Sequence, residues 1–216
     1  MTTVLNYPVK SNFYLSNIPQ ELRELLDFAY QEKYAELYEE NHGNILLEDI
    51  CLKILNQLKS KNKLLTYQRY LFIGLIMSYA VNPTIKIYLP NDNRTSKIYQ
   101  FVNSRLTKKS LKYSTQFIEI IENFLKDLFP EISFGIQALD EAVDVFENLL
   151  RSLAPSQSQN SLLEILDDCF QGYAIFPGSE NRRDLFNWWL LDVVPAVWKL
   201  ETPQMLYTIH GLQPYQ

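Results

Sequence analysis

Histidine and cysteine are nearly missing from this 216-residue chain. There are two of each: His42 and His210, Cys51 and Cys169. Two histidines exclude a multi-histidine metal site. The cysteines form no CxxC, which excludes the usual zinc and redox spacings. Glycine is scarce too. The six glycines come no closer together than Gly172 and Gly178, so there is neither a Walker-type loop nor a GxGxxG dinucleotide turn. No basic stretch followed by an apolar one marks the first twenty residues as a secretory signal. The longest uncharged run, 70–85, holds 16 residues including Pro83. A membrane span needs about 20 apolar residues. The run therefore reads as a buried core helix, and a soluble cytoplasmic protein without a membrane span is the expectation.

What is present is helical periodicity. Hydrophobic residues make up 47% of the chain and charged residues 21%, enough for a sizeable core without disulfides or metals. Pro19 suits a first helical position, and Leu22, Leu25, Leu26 and Ala29 follow at helical spacing towards Gly43. Leu47, Ile50, Ile54 and Leu58 mark a second helix over about 45–60. A third is expected from Thr66, as N-cap, to Val81. The β-branched alternation of Thr84 to Pro90 suggests a short strand. Further helices fit about 95–106, 110–128 and 136–153. The last has its apolar stripe at Ile136, Leu139, Val143, Phe146, Leu150 and Leu153. Segment 154–161 reads as a linker, with Ser161 and Glu164 forming a capping box for the next helix. A final helix over about 182–199 contains Pro195, which should kink or split it, and the tail adds a short extended piece.

This pattern predicts an all-α fold, a compact multi-helix bundle of about eight helices with at most one short strand pair. A short HEAT-like α-solenoid is the alternative, because helix pairs begin near 19, 66, 110 and 162. Two organisations fit equally: a main domain 1–153 with a C-terminal segment 162–216 packed on it, or one continuous domain.

No constellation announces chemistry. Glu39 and His42 form the Glu-x-x-His unit that di-iron bundles use twice, but it occurs once. Asp167-Asp168 is similar to the start of an aspartate-rich, magnesium-diphosphate motif of prenyl-chain enzymes. Position 171 is glutamine, however, and no second acidic set follows. Asp140, Glu141, Asp144 and Glu147 read as the wet face of an amphipathic helix. Ser179 lies in no nucleophile elbow, and both cysteines read as small buried hydrophobes. No catalytic residue, metal ligand or cofactor site is assigned, and the balance leans away from an enzyme.

Charge is segregated. Residues 1–52 carry a net charge of −6, residues 53–112 of +11 and residues 113–216 of −10. Within the middle, Arg105, Lys108, Lys109 and Lys112 fall at i, i+3, i+4 and i+7. A helix would stack these four cations on one face and favour an anionic neighbour. With Arg94 and Lys97 they are the candidate anion- or partner-binding residues. The first expectation is that the acidic ends pack around the basic middle. The second is an open nucleic-acid or polyanion surface. Trp188 and Trp189 are adjacent, about 100° apart on a helix, so one of them is expected at a partner or self-association surface. The functional expectation is therefore a non-catalytic regulatory or adaptor protein that acts through helical binding surfaces on a protein partner or a second copy. Nucleic-acid binding is the alternative, and an enzyme with no legible motif is a third.

Overall fold

The structure is a computed structural model, described here for residues 18–40, 43–106, 115–129, 133–175 and 182–214. The chain is mainly α-helical, a multi-helix bundle with one small antiparallel hairpin. The elements are α1 (Gln20–Gln31), a 3-10 turn (Ala35–Leu37), α2 (Leu47–Gln57), α3 (Lys63–Tyr88), α4 (Arg94–Leu106), α5 (Thr115–Leu128), α6 (Gln137–Arg151), α7 (Ser158–Phe170), α8 (Arg182–Trp188), a π turn (Trp189–Val193), α9 (Val194–Trp198), β1 (Met205–Thr208) and β2 (Gly211–Pro214).

Helix α3 is the axis of the molecule. Its sequence is apolar nearly all round, so burial on one side only would leave a wide apolar surface in water. The fold surrounds it: α6 and α7 pack on it and on each other, and α9 and β1 close further sides. Gly74 lets α3 approach these partners closely, because a Cβ there would meet Ile165 Cδ1 and Leu149 Cδ1 at 3.4 Å each. By length and composition α3 could cross a membrane, but most of its apolar window is buried within the structure, as in the core helix of a soluble protein.

The expected strand at 84–90 is not formed, because α3 continues to Tyr88. Pro83 lacks the N–H that would reach back to residue 79, yet the helix runs through it. The burial of Thr84 and Ile85, the next two residues, favours continuation. The start of α3 also differs from expectation. Asn62 is the N-cap, accepting from the Leu64 amide, while the Thr66 hydroxyl accepts from the Ser60 amide, 2.8 Å away.

The connection after α6 is short, buried at its start and exposed at Ser156. Ser152, Leu153 and Ala154 are almost fully covered, and α7 already begins at Ser158. Ser161 is therefore inside the helix and buried, and the expected capping box is not formed. A single cluster of buried side chains extends from Ile18 to Tyr207.

Pro195 splits the last helix as the sequence suggested. A regular α-helix would drive the Leu191 carbonyl into its ring. The chain widens into the π turn there, and Pro195 lies in the first turn of α9, where a missing N–H costs no bond. The tail forms the hairpin β1–β2, with Thr208 opposite Gly211 across a two-residue loop. Gly211 takes φ 84°, a conformation that L-residues adopt only with strain.

Candidate functional site

The two tryptophans expected at a surface are both in the core. Trp188 and Trp189 are each 0% exposed. The hairpin covers the face that helical geometry left open: Trp188 Nε1 donates to the Met205 carbonyl at 2.9 Å, and Tyr207 lies beside its ring. Trp189 points the other way, against Phe170 and Phe186. Burial of each ring is worth about 5 kcal/mol at ~25 cal/mol per Å². Helix periodicity could not show this second cover, because it comes from a strand far along the chain.

Among the described residues the cations of the basic middle do not form one face. Helix α3, with 26 residues, is about 39 Å long, and it holds the cations before it and after it apart. Lys53, Lys59, Lys61 and Lys63 are exposed at one end. At the other end lie Lys86, Arg94 and Lys97. Arg94 is engaged internally: it pairs with Asp92 at 2.5 Å, donates to the Leu128 carbonyl, and sits over the rings of Phe129 and Phe134. Lys86 donates to the Asp92 carbonyl, and Lys97 is exposed. The Arg105 side chain and residues Lys108, Lys109 and Lys112 lie outside the described residues. Among the described residues no ion pair joins the basic middle to either acidic end. The pairs formed are Lys33–Glu39, Arg94–Asp92, Arg151–Glu147 and Arg183–Glu39. Asp92, the only acid of the middle, is used locally by Arg94.

Other motif residues serve the fold. Glu39 accepts from the Tyr34 amide and binds Lys33 and Arg183, tying the start of α8 to the turn after α1. Its sequence partner His42 lies outside the described residues. Asp168 is crowded: burial, then the carboxylates of Asp144, Glu141, Asp167 and Glu164, push it up to about 8. Among the described residues no three His, Cys, Asp or Glu side chains could hold a metal ion. Burial also raises the thiol pKa of both cysteines, and the thiolate is the reactive form. Cys51 lines a small recess of about 170 Å³ between α2 and α7.

Among the described residues a cleft of about 720 Å³ lies between α5 and α6, with Arg94, Ser133 and Phe134 also in its lining. Its position follows from two amphipathic helices. Helix α5 turns Phe117, Ile121, Leu125 and Leu128 inward, and α6 does the same with Leu139, Val143, Phe146 and Leu150. The next residues round each helix then form two facing walls. Glu122, Leu125, Lys126 and Phe129 come from α5. Asp140, Val143, Asp144, Glu147 and Arg151 come from α6. The floor is apolar and the walls are charged. Asp140 is engaged, accepting from the Phe134 amide at 2.7 Å and the Ser133 hydroxyl at 3.0 Å. Arg151 binds Glu147 at 2.9 Å. Glu122, Lys126 and Asp144 are left without a side-chain hydrogen bond or ion pair. Asp144 stands at the mouth, exposed as a residue with its carboxyl partly shielded. That shielding, then the carboxylates of Glu147, Asp140 and Glu141, push its pKa up to about 6 against the pull of Arg151.

Sequence reading placed the α6 acids on a solvated face. It missed the cleft because the opposing wall belongs to another helix. The spacing i, i+3, i+4, i+7 of mixed polar and apolar residues on both helices was the available signal. Compared with protein-family models, curated proteins and solved structures, the chain matches none of them, so the functional argument rests on the cleft itself.

Proposed function

We propose that this chain is a non-catalytic binding module that engages a protein partner through the cleft between α5 and α6. One observation carries the reading: a cavity of about 720 Å³ with an apolar floor and three unpaired charged side chains on its walls. Docking grooves combine these two features, apolar area for affinity and placed charge for orientation.

Site-specific photo-crosslinking tests this. A crosslinker placed at Lys126 should give a discrete protein adduct in an extract of the native host, and one at exposed Glu201 should not. Identical adducts from both positions, or none from Lys126, would refute the reading.

A second reading has its own observation. Lys59 and Lys63 line a recess of about 300 Å³ shared with Ser60, Thr66 and Ser158, Lys61 is exposed between them in sequence, and none of the three has an ion-pair partner. Polyanion binding at this corner would fall linearly in log affinity with log salt. It would be lost in the triple lysine-to-glutamate variant.

A further inference from the structure

We infer that the cleft takes a basic amphipathic helical segment of a partner protein, whose apolar stripe packs on the half-buried Phe129 and Phe134 and whose Lys or Arg side chains reach Asp144 and Glu122. This rests on the reading of the cleft as a partner site and adds the chemistry of the partner.

Charge argues for a basic occupant. The lining holds three cations, Arg94, Lys126 and Arg151, and four carboxylates, Glu122, Asp140, Asp144 and Glu147. Arg151 is neutralised by Glu147, and Arg94 by Asp92 from outside the lining. Lys126 then faces Glu122, Asp140 and Asp144, which leaves two negative charges uncompensated. Asp140 already accepts two hydrogen bonds from neutral donors. Glu122 and Asp144 have no partner and are the natural anchors for incoming cations. A phosphate-bearing ligand would meet these carboxylates at close range and be repelled.

Shape argues for a helix. Asp140 to Arg151 covers about 16 Å along α6 at 1.5 Å per residue, and α5 faces it with i, i+3, i+4, i+7 spacing. Two neighbouring helices with such rows form a groove that a third helix fills. Leu125 and Val143 are already nearly buried, at 4% and 7% exposure, so the apolar surface left for a partner is that of the half-buried Phe129 and Phe134. The free charges share that lining. This is the arrangement that an amphipathic helix complements with a leucine stripe flanked by lysines.

The probe is a synthetic helix of about 15 residues with leucines at i, i+3, i+4 and i+7 and lysines flanking them. The control has glutamate for every lysine. Titration into the full chain, followed by amide NMR, should show the lysine peptide shifting resonances of α5 and α6 and binding more weakly at high salt. The control should bind at least tenfold more weakly. Glu122→Gln with Asp144→Asn should cost the lysine peptide at least tenfold, with an unchanged circular dichroism spectrum. A matched change at a distant acid, Glu201→Gln, should cost nothing. Equal binding of the two peptides, no binding of the lysine peptide, or no effect of the double variant would overturn the inference. So would a second copy of the chain filling the cleft, seen as self-association by sedimentation that the double variant abolishes. The crosslinking result from Lys126 does not depend on partner charge, so it separates failure of this inference from failure of the partner-site reading.

Discussion

The guanidinium of Arg69 lies over the ring of Trp198, 3.7 Å from its centroid, and donates twice to the Trp198 carbonyl, from Nε at 3.1 Å and Nη2 at 2.8 Å. Its Nη1 donates to the Leu58 carbonyl at 2.9 Å. One buried cation thus ties the end of α2, the start of α3 and the end of α9. Arg69 has no carboxylate partner, so carbonyls and an aromatic face replace its hydration.

Lysine cannot reproduce three donors in a fixed fork. Arg69→Lys should therefore destabilise the protein by about 2–3 kcal/mol, since hydrogen bonds from charged groups contribute about 1.5–3 kcal/mol each and part of the packing survives. Urea denaturation measures this as a lower midpoint at constant slope. A midpoint within error of the wild type would show that the cluster contributes nothing.

The contribution of Asp168 and Asp192 to stability should fall as pH rises from about 4 to 8. Burial and neighbouring carboxylates push Asp168 up to about 8, and burial pushes Asp192 up to about 6. The unfolded value for aspartate is about 3.9. A raised pKa means that the folded state holds more protons in this window, so the contribution of these two groups is fully present below about pH 4 and is lost as they ionise, while Asp92, held low against its burial by Arg94, acts in the opposite sense only at acid pH. Asp168→Asn removes the largest of these terms. It should raise the melting temperature at pH 8 and change it little at pH 4. A variant that loses stability at pH 8 would mean that the ionised carboxylate is held by a favourable partner.

Both thiols should be silent in the folded protein. Cys51 is 3% and Cys169 2% exposed, and burial raises both pKa values. A chromogenic disulfide reagent should release no thiol signal under native conditions at pH 8 and two equivalents in denaturant. Rapid native labelling of one cysteine would place a thiolate at the surface and reopen nucleophilic chemistry.

Salt should not weaken the fold. No ion pair joins the basic middle to the acidic ends among the described residues, while Asp168, Glu141, Asp144 and Asp167 repel one another. Screening then removes more repulsion than attraction. The melting temperature at 1 M sodium chloride should equal or exceed that at low salt. A clear drop would show that the covering pairs exist, formed by residues such as Lys108 and Lys109.

Limited proteolysis should spare 152–154, which are nearly buried, and 158–161, which are helical, and an early cut at either would show that the turn after α6 is open beyond exposed Ser156. Ser152, Leu153 and Ala154 are nearly buried, and α7 begins at Ser158. Sequence composition made this stretch look like a linker because serine and glutamine are polar. Small side chains, however, also fit a tight turn beneath two packed helices, and composition does not separate the two cases.

The sequence by itself determined the helices. Period-3.6 apolar stripes placed α1, α2, α4, α5, α6 and the last helix, because an amphipathic helix carries its buried face in its own spacing. The all-round apolarity of 70–81 marked a central helix, and Pro195 marked the break. Tertiary structure decided what lies beside what. Thr84 and Ile85 are helical because they are buried there, against their local strand preference. Trp188 is buried because a hairpin some 17 residues later covers it. The basic middle is divided because a long rigid helix runs through it. The cleft exists because α5 and α6 turn their polar margins towards each other. Local sequence records how each residue is placed on its own element. Which faces meet is settled only when the apolar surfaces of all elements are buried together.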